Sequence, residues 1–347
     1  MLNCGRMLPS VVISGFALLG CSDSTIPLVA THVAFESQPL ATVTSAQLLG
    51  NVRVTVLTAA GQIATGTNYQ VAISLSAADT AAHLAGTTTV ETTTGVATFP
   101  DLTVGRAGID FRLVARVTGL DSAVSQLFTI TPGTASQLRF NSFAYSLILV
   151  ASDIPAVVQV TDAGGNTVPG ATNTVTVGYT RTGSFGMTVA PDGLSGPTTV
   201  AAVNGVATFS GLTFHKSGSY TLSATASGLS GATSDYFLMQ AASMTKLMFV
   251  TQPSDGTAGA ALAPFSVQQV DDYGNGLSLP PGPSYGATLS MGNNPTGAAL
   301  GGTLTAQGFG VTALTFGDIS IDKPGTGYTL VATSGTWTVT SAPFSIH

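Results

Sequence analysis

The sequence predicts an all-β protein of three tandem immunoglobulin-like β-sandwiches in an elongated array, and three observations carry the prediction. Phe99-Pro100-Asp101-Leu102-Thr103-Val104, Phe209-Ser210-Gly211-Leu212-Thr213-Phe214 and Phe316-Gly317-Asp318-Ile319-Ser320-Ile321 recur roughly every 110 residues, a period that suits one sandwich per copy. Short runs that alternate apolar and polar residues, bounded by Gly, Pro and Asn, fill each period. Only 7% of the 347 residues are charged while 44% are apolar, so exposed positions fall to Thr, Ser, Gly and Asn, which suit strand surfaces and turns better than helix surfaces.

Residues 1–21 read as an export signal. Arg6 supplies a positive end, Met7 to Leu19 an apolar core too short to remain as a membrane span, and small residues a cleavage point. Leu18-Leu19-Gly20-Cys21 resembles the lipobox of bacterial lipoproteins, and that resemblance implies acylation of Cys21 as the first residue of the mature chain. Cysteine usage agrees: Cys4 lies in the segment to be removed, and no cysteine follows Cys21 to pair with it. In the same family Asp after the Cys signals inner-membrane retention, so Ser22 leans toward the outer membrane. Residues 22–31 form a tether. The expected address is the cell envelope, with the membrane engaged through N-terminal lipid, since no later run approaches the ~18 apolar residues of a span.

The copies follow as residues 32–131, 135–240 and 244–347. Each opens on an apolar-x-Phe strand: Val33-Ala34-Phe35, Leu138-Arg139-Phe140, Leu247-Met248-Phe249. An alternating strand and polar turn come next, clearest in Val158 to Asn166 and Val267 to Asn275. A third strand, Tyr69 to Ile73 or Val175 to Tyr179, leads to a Leu/Gly/Thr segment such as Leu84-Ala85-Gly86-Thr87 or Leu300-Gly301-Gly302-Thr303. Gly95-Val96-Ala97-Thr98-Phe99 and Gly205-Val206-Ala207-Thr208-Phe209 follow, with Asn204-Gly205 a strong tight-turn signal. Ala97 and Phe99 share one face, whereas Leu102 and Val104 have the opposite parity, so a bulge or a turn must absorb a residue near Pro100-Asp101. Strands at Phe111 to Ala115, Tyr220 to Ala224 and Tyr328 to Ala332 precede closing strands at Phe128, Phe237 and Phe344. The linkers, Thr131 to Thr134 and Gln240 to Ser243, are short enough to hold neighbours nearly in line.

Asp162 to Gly170, Asn204 to Phe209 and Gly218 to Ala224 together resemble the bacterial immunoglobulin-like repeat of the invasin and intimin type. The resemblance covers residues 32–347, fits the second copy best, and weakens in the first, where Thr58-Ala59-Ala60-Gly61-Gln62 replaces the Asp-x-x-Gly-Asn turn. It implies a stalk or adhesive module and no catalytic residues or cofactors.

The chemistry the residues offer is sparse. A net charge of −6, with no Lys/Arg run, sets nucleic acid aside. Gly282-Pro283-Ser284-Tyr285-Gly286 has the spacing of a hydrolase nucleophile motif, but that motif needs a strand-to-helix turn with a His and an acid from later in the chain, whereas here it follows Pro280-Pro281, leads into a strand, and the only later His is His347. His32, His83, His215 and His347 lie far apart and make no metal pattern. Asp162 with Asn166, and Asp271 and Asp272 with Asn275, are weak calcium candidates, because each loop offers fewer oxygens than calcium takes; polar turns capped by Asp are the leading reading. Trp337 is either packed against its sheet or a platform for a glycan. The expected function is a non-enzymatic surface spacer or an adhesion and assembly module, whose partner is another envelope protein or a glycan; the alternative is a carbohydrate-binding surface protein using loops or Trp337.

Overall fold

The computed structural model describes residues 29–141, 147–183, 193–276, 284–309 and 313–347. Every regular element among them is a β-strand. In the first copy Ala30–Ser37, Val52–Thr58 and Val96–Phe99 form one antiparallel sheet. The facing sheet runs Thr42–Thr44, Phe128–Thr131, Gly108–Arg116, Gln70–Ser76, Thr89–Glu91, with Ala123–Val124 also on Gly108–Arg116. Its pairings are antiparallel except for Thr42–Thr44 beside Phe128–Thr131, because the chain crosses between sheets after Ser37 and arrives alongside the closing strand in the same direction. The first strand begins at Ala30, two residues inside the segment read from sequence as tether.

The second copy repeats the order strand for strand, Gln137–Phe140, Ala156–Thr161 and Val206–Phe209 facing Leu147–Leu149, Phe237–Gln240, Gly218–Thr225, Thr174–Gly183 and Thr199–Ala201. The third keeps the first sheet as Lys246–Thr251, Phe265–Val270 and Leu314–Phe316 but splits the second. There Gly325–Tyr328 pairs with Phe344–Ile346, while Leu330–Ser334 pairs with Ser284–Met291 and Trp337–Thr340. Two antiparallel sheets enclosing one apolar layer, with this crossing first strand, make an immunoglobulin-like sandwich.

The alternation seen in the sequence is what fills the cores. Val52, Val54 and Val56, on alternate positions, are wholly buried, as are Ala156, Val158 and Val160 in the next copy. Buried residues form three clusters, one per copy, around Phe99, Phe209 and Phe316. Burying a side chain of this size contributes roughly 1.5–3 kcal/mol. The parity change at Pro100-Asp101 is a turn between strands: Val96–Phe99 ends, and Thr103–Val104 pairs instead with Leu84–Ala85. Asn204 and Gly205 both have positive φ, 50° and 78°, the backbone that a two-residue hairpin turn requires.

One recurring device had no expectation attached to it. Ser125, Ser234 and Ser341 are buried, and each hydroxyl accepts from a neighbouring strand's amide, Leu113, Leu222 or Leu330, while donating to the carbonyl of the next residue. It pins the approach to the closing strand in every copy.

Candidate functional site: the joints between copies

The turns read as weak calcium candidates lie where one copy meets the next. Asp162 accepts at Oδ1 from the Asn166 amide, 2.9 Å, and its carbonyl accepts from Gly165, so the carboxylate closes its own turn. Its Oδ2 reaches outward to the linker amide of Gly133, 2.7 Å, and to the Ser45 hydroxyl of the first copy, 2.6 Å. Asn166 crosses the boundary too: Oδ1 accepts from the Ala107 amide at 2.9 Å, and Nδ2 donates to the Gly105 carbonyl at 2.8 Å.

The second boundary is built on the same plan. Asp271 accepts from the amides of Tyr273 and Asn275 and, at Oδ2, from the linker amide of Ala242. Asn275 Oδ1 accepts from Ser217 at 3.0 Å, and Nδ2 donates to the His215 carbonyl at 2.8 Å. Lys216 adds a bond to the Tyr273 carbonyl, and the His215 and Tyr273 rings lie 4.6 Å apart. The receiving loop is itself fixed: Tyr220 Oη donates to the Lys216 carbonyl at 2.9 Å, and Arg181 Nη2 donates to the Ser217 carbonyl at 2.6 Å. A Tyr rooted in the core thus holds the loop that meets the next copy.

At Asp162 hydrogen bonding overrides burial. Asp162 is 2% exposed, which by itself raises a carboxyl pKa, yet the bonds from Ser45, Asn166 and Gly133 outweigh burial and bring it down to about 2. The hydroxyl contact is particular to the first joint, because the residue corresponding to Ser45 is Val150: both amides bond the closing strand, at Thr131 and Gln240, and a positive-φ Ala follows each.

The oxygens proposed for calcium are therefore engaged by protein donors. Asp272, exposed, turns its carboxylate to the Thr245 hydroxyl at 2.7 Å. Among the described residues no group of three or more His, Cys, Asp or Glu is placed to hold a metal. His215 belongs to the second joint; His32, in the first strand, contacts Thr31, while His83 and His347 are exposed. Trp337 opens the strand Trp337–Thr340, pairs with Ser334 and packs, half-buried, against the third core. Ser284 opens Ser284–Met291, paired antiparallel to Phe309, rather than occupying a strand-to-helix turn. Cys21 lies outside the described residues.

The cross-boundary role of Asn166 and Asn275 was not read from sequence. The signal that was present is the recurrence of Asn after Asp-x-x-Gly in the second and third copies and its replacement by Gln62 in the first.

No protein-family model matches this sequence, and no curated protein does. Solved structures do share similarity. The Escherichia coli adhesin FdeC is 17% identical over 92% of this chain and 98% of its own, with a TM-score of 0.31. Invasin, a bacterial integrin-binding protein, is 16% identical over 89% of this chain and 59% of its own, TM-score 0.29. The titin I-band fragment I67–I69 is 13% identical over 92% of this chain and 99% of its own, TM-score 0.25.

Proposed function

We propose that the chain is a non-enzymatic envelope protein whose units, residues 32–131, 135–240 and 244–347, act as a surface spacer or an adhesion and assembly module, exported and held to the outer membrane through an acylated Cys21. The observation that carries this reading is the pair of joints. Consecutive units meet end to end through short linkers, and each joint satisfies a buried Asp and Asn with groups from the preceding unit or linker. Polar atoms so committed resist hinge motion, because opening the joint exchanges matched bonds for water at the cost of alignment. That arrangement suits a rod that sets distance. Three sandwiches in line extend roughly 100 Å, with strands rising ~3.3 Å per residue. Small-angle scattering of the soluble chain tests it: an elongated profile of that length is expected, and a near-spherical one overturns the spacer reading.

A further inference from the structure

We propose that the loops at Gly105–Ala107 and His215–Ser217 are sockets for an Asp-x-x-Gly-Asn turn of the following unit, and that the residue at position 107, 217 or 324 decides whether such a socket is open. The inference deepens the spacer reading and rests on it. A socket presents one carbonyl and one amide two residues apart, and both are used by a single side chain. The Asn carboxamide accepts at one atom and donates from another, matching both groups; a carboxylate offers no donor, and a longer Gln moves the group by one methylene.

The corresponding loop of the third unit is Asp322-Lys323-Pro324, preceding Gly325 as Ala107 precedes Gly108 and Ser217 precedes Gly218. Pro324 has no N–H, so an Asn brought to this loop leaves its Oδ1 without the donor that Ala107 and Ser217 provide. Its neighbours bond within their own unit: Asp322 Oδ1 accepts from the Ala299 amide at 2.7 Å, and Lys323 Nζ donates to the Gly297 carbonyl at 2.9 Å. The opposite partner is blank in the first unit. Thr58 to Gln62 forms the same turn, with the Thr58 amide on the Gln62 carbonyl and Gly61 on the Thr58 carbonyl, but carries neither the Asp nor the Asn. Among the described residues, both open sockets are therefore filled by Asp-x-x-Gly-Asn turns, and neither the turn of the first unit nor the loop of the third takes part in a joint of this kind.

The test uses the full chain with Cys4 and Cys21 changed to Ser and spin labels at the exposed Thr225 and Thr338, reading the distance distribution between the second and third units. Ser217→Ala keeps the amide and should leave the distribution narrow, as Ala107 already occupies this position in the first joint. Ser217→Pro should broaden it at least about twofold, Asn275→Ala should do the same, and the double variant should be no broader than either. The native Pro324 shows that this loop accepts proline in a folded unit, and Asn275→Ala gives the same answer if Ser217→Pro does not fold. A Ser217→Pro or Asn275→Ala distribution as narrow as the parent's overturns the proposal. A compact scattering profile accompanied by the expected broadening would overturn the spacer and leave the socket standing. In a chain lengthened after His347 by a second copy of residues 241–347, the added unit should be loosely held and should tighten on Pro324→Ser; tight attachment with Pro324 in place refutes the role of that proline.

Discussion

The Ser45 hydroxyl donates to Oδ2 of Asp162 at 2.6 Å, across 117 positions of sequence and across the boundary between two sandwiches. It is a charge-assisted bond to a buried carboxylate, which makes it one of the stronger polar contacts in the chain. Val150 at the corresponding position leaves the second joint without it.

Acid should therefore loosen the first joint in a defined window. The Asp162 carboxyl is held at about 2 in the folded chain and titrates near ~3.9 when unfolded, so its stabilisation is complete above that unfolded value and is lost as pH falls toward 2. Ser45→Ala removes one of the bonds that lower the pKa and should move the Asp162 titration upward, read by carboxyl-carbon NMR. An unmoved titration would show that the hydroxyl contributes nothing.

Phe209 is fully buried at the centre of the second cluster, and Phe209→Ala should cost roughly 3–5 kcal/mol through lost burial and the cavity left behind. The three clusters are separate, so thermal unfolding should show one weakened transition and two little changed. A uniform downward shift of the whole melt would mean that the copies unfold together.

Tyr220→Phe removes the bond to the Lys216 carbonyl and should destabilise by about 1 kcal/mol. The ring stays, as Phe111 does at the corresponding place in the first copy, so the core should be unaffected. The change should appear as faster amide exchange at Lys216 and Ser217; exchange confined to the core strands would assign Tyr220 a packing role alone.

If Cys21 carries the lipid anchor proposed above, Cys21→Ser should release the protein from membranes or stop its maturation. Membrane fractions with as much of the variant as of the parent would end the lipoprotein reading.

Strand positions and the burial of Phe99, Phe209 and Phe316 were legible in the sequence because alternation and a fixed period are local and repeated signals. The turn at Asp162 to Asn166 was legible for the same reason, as Asp and Gly meet a backbone requirement within five residues. What Asn166 touches was not. Its partners lie 59 and 61 positions earlier, and they are backbone atoms, whose hydrogen bonding leaves no residue signature. The choice between bulge and turn at Pro100-Asp101 stayed open because parity counts residues without saying which sheet receives them. Trp337 was equally silent, since half-burial against a core and an exposed ring face have the same local pattern.

The Leu/Gly/Thr segments have a consequence for how such a gene can rearrange. Thr87 and Thr303 donate backbone amide and hydroxyl to Asp101 and Asp318, whereas the second copy has Pro197, with no amide to satisfy, opposite Gly211. Each pairing is complete in itself, and neither member works with the other's partner: Thr opposite Gly211 would have no acceptor, and Pro opposite Asp101 would have no donor. A crossover that joins the second copy to the first or the third between these two segments would splice mismatched halves. One falling in the linkers would carry both members along intact.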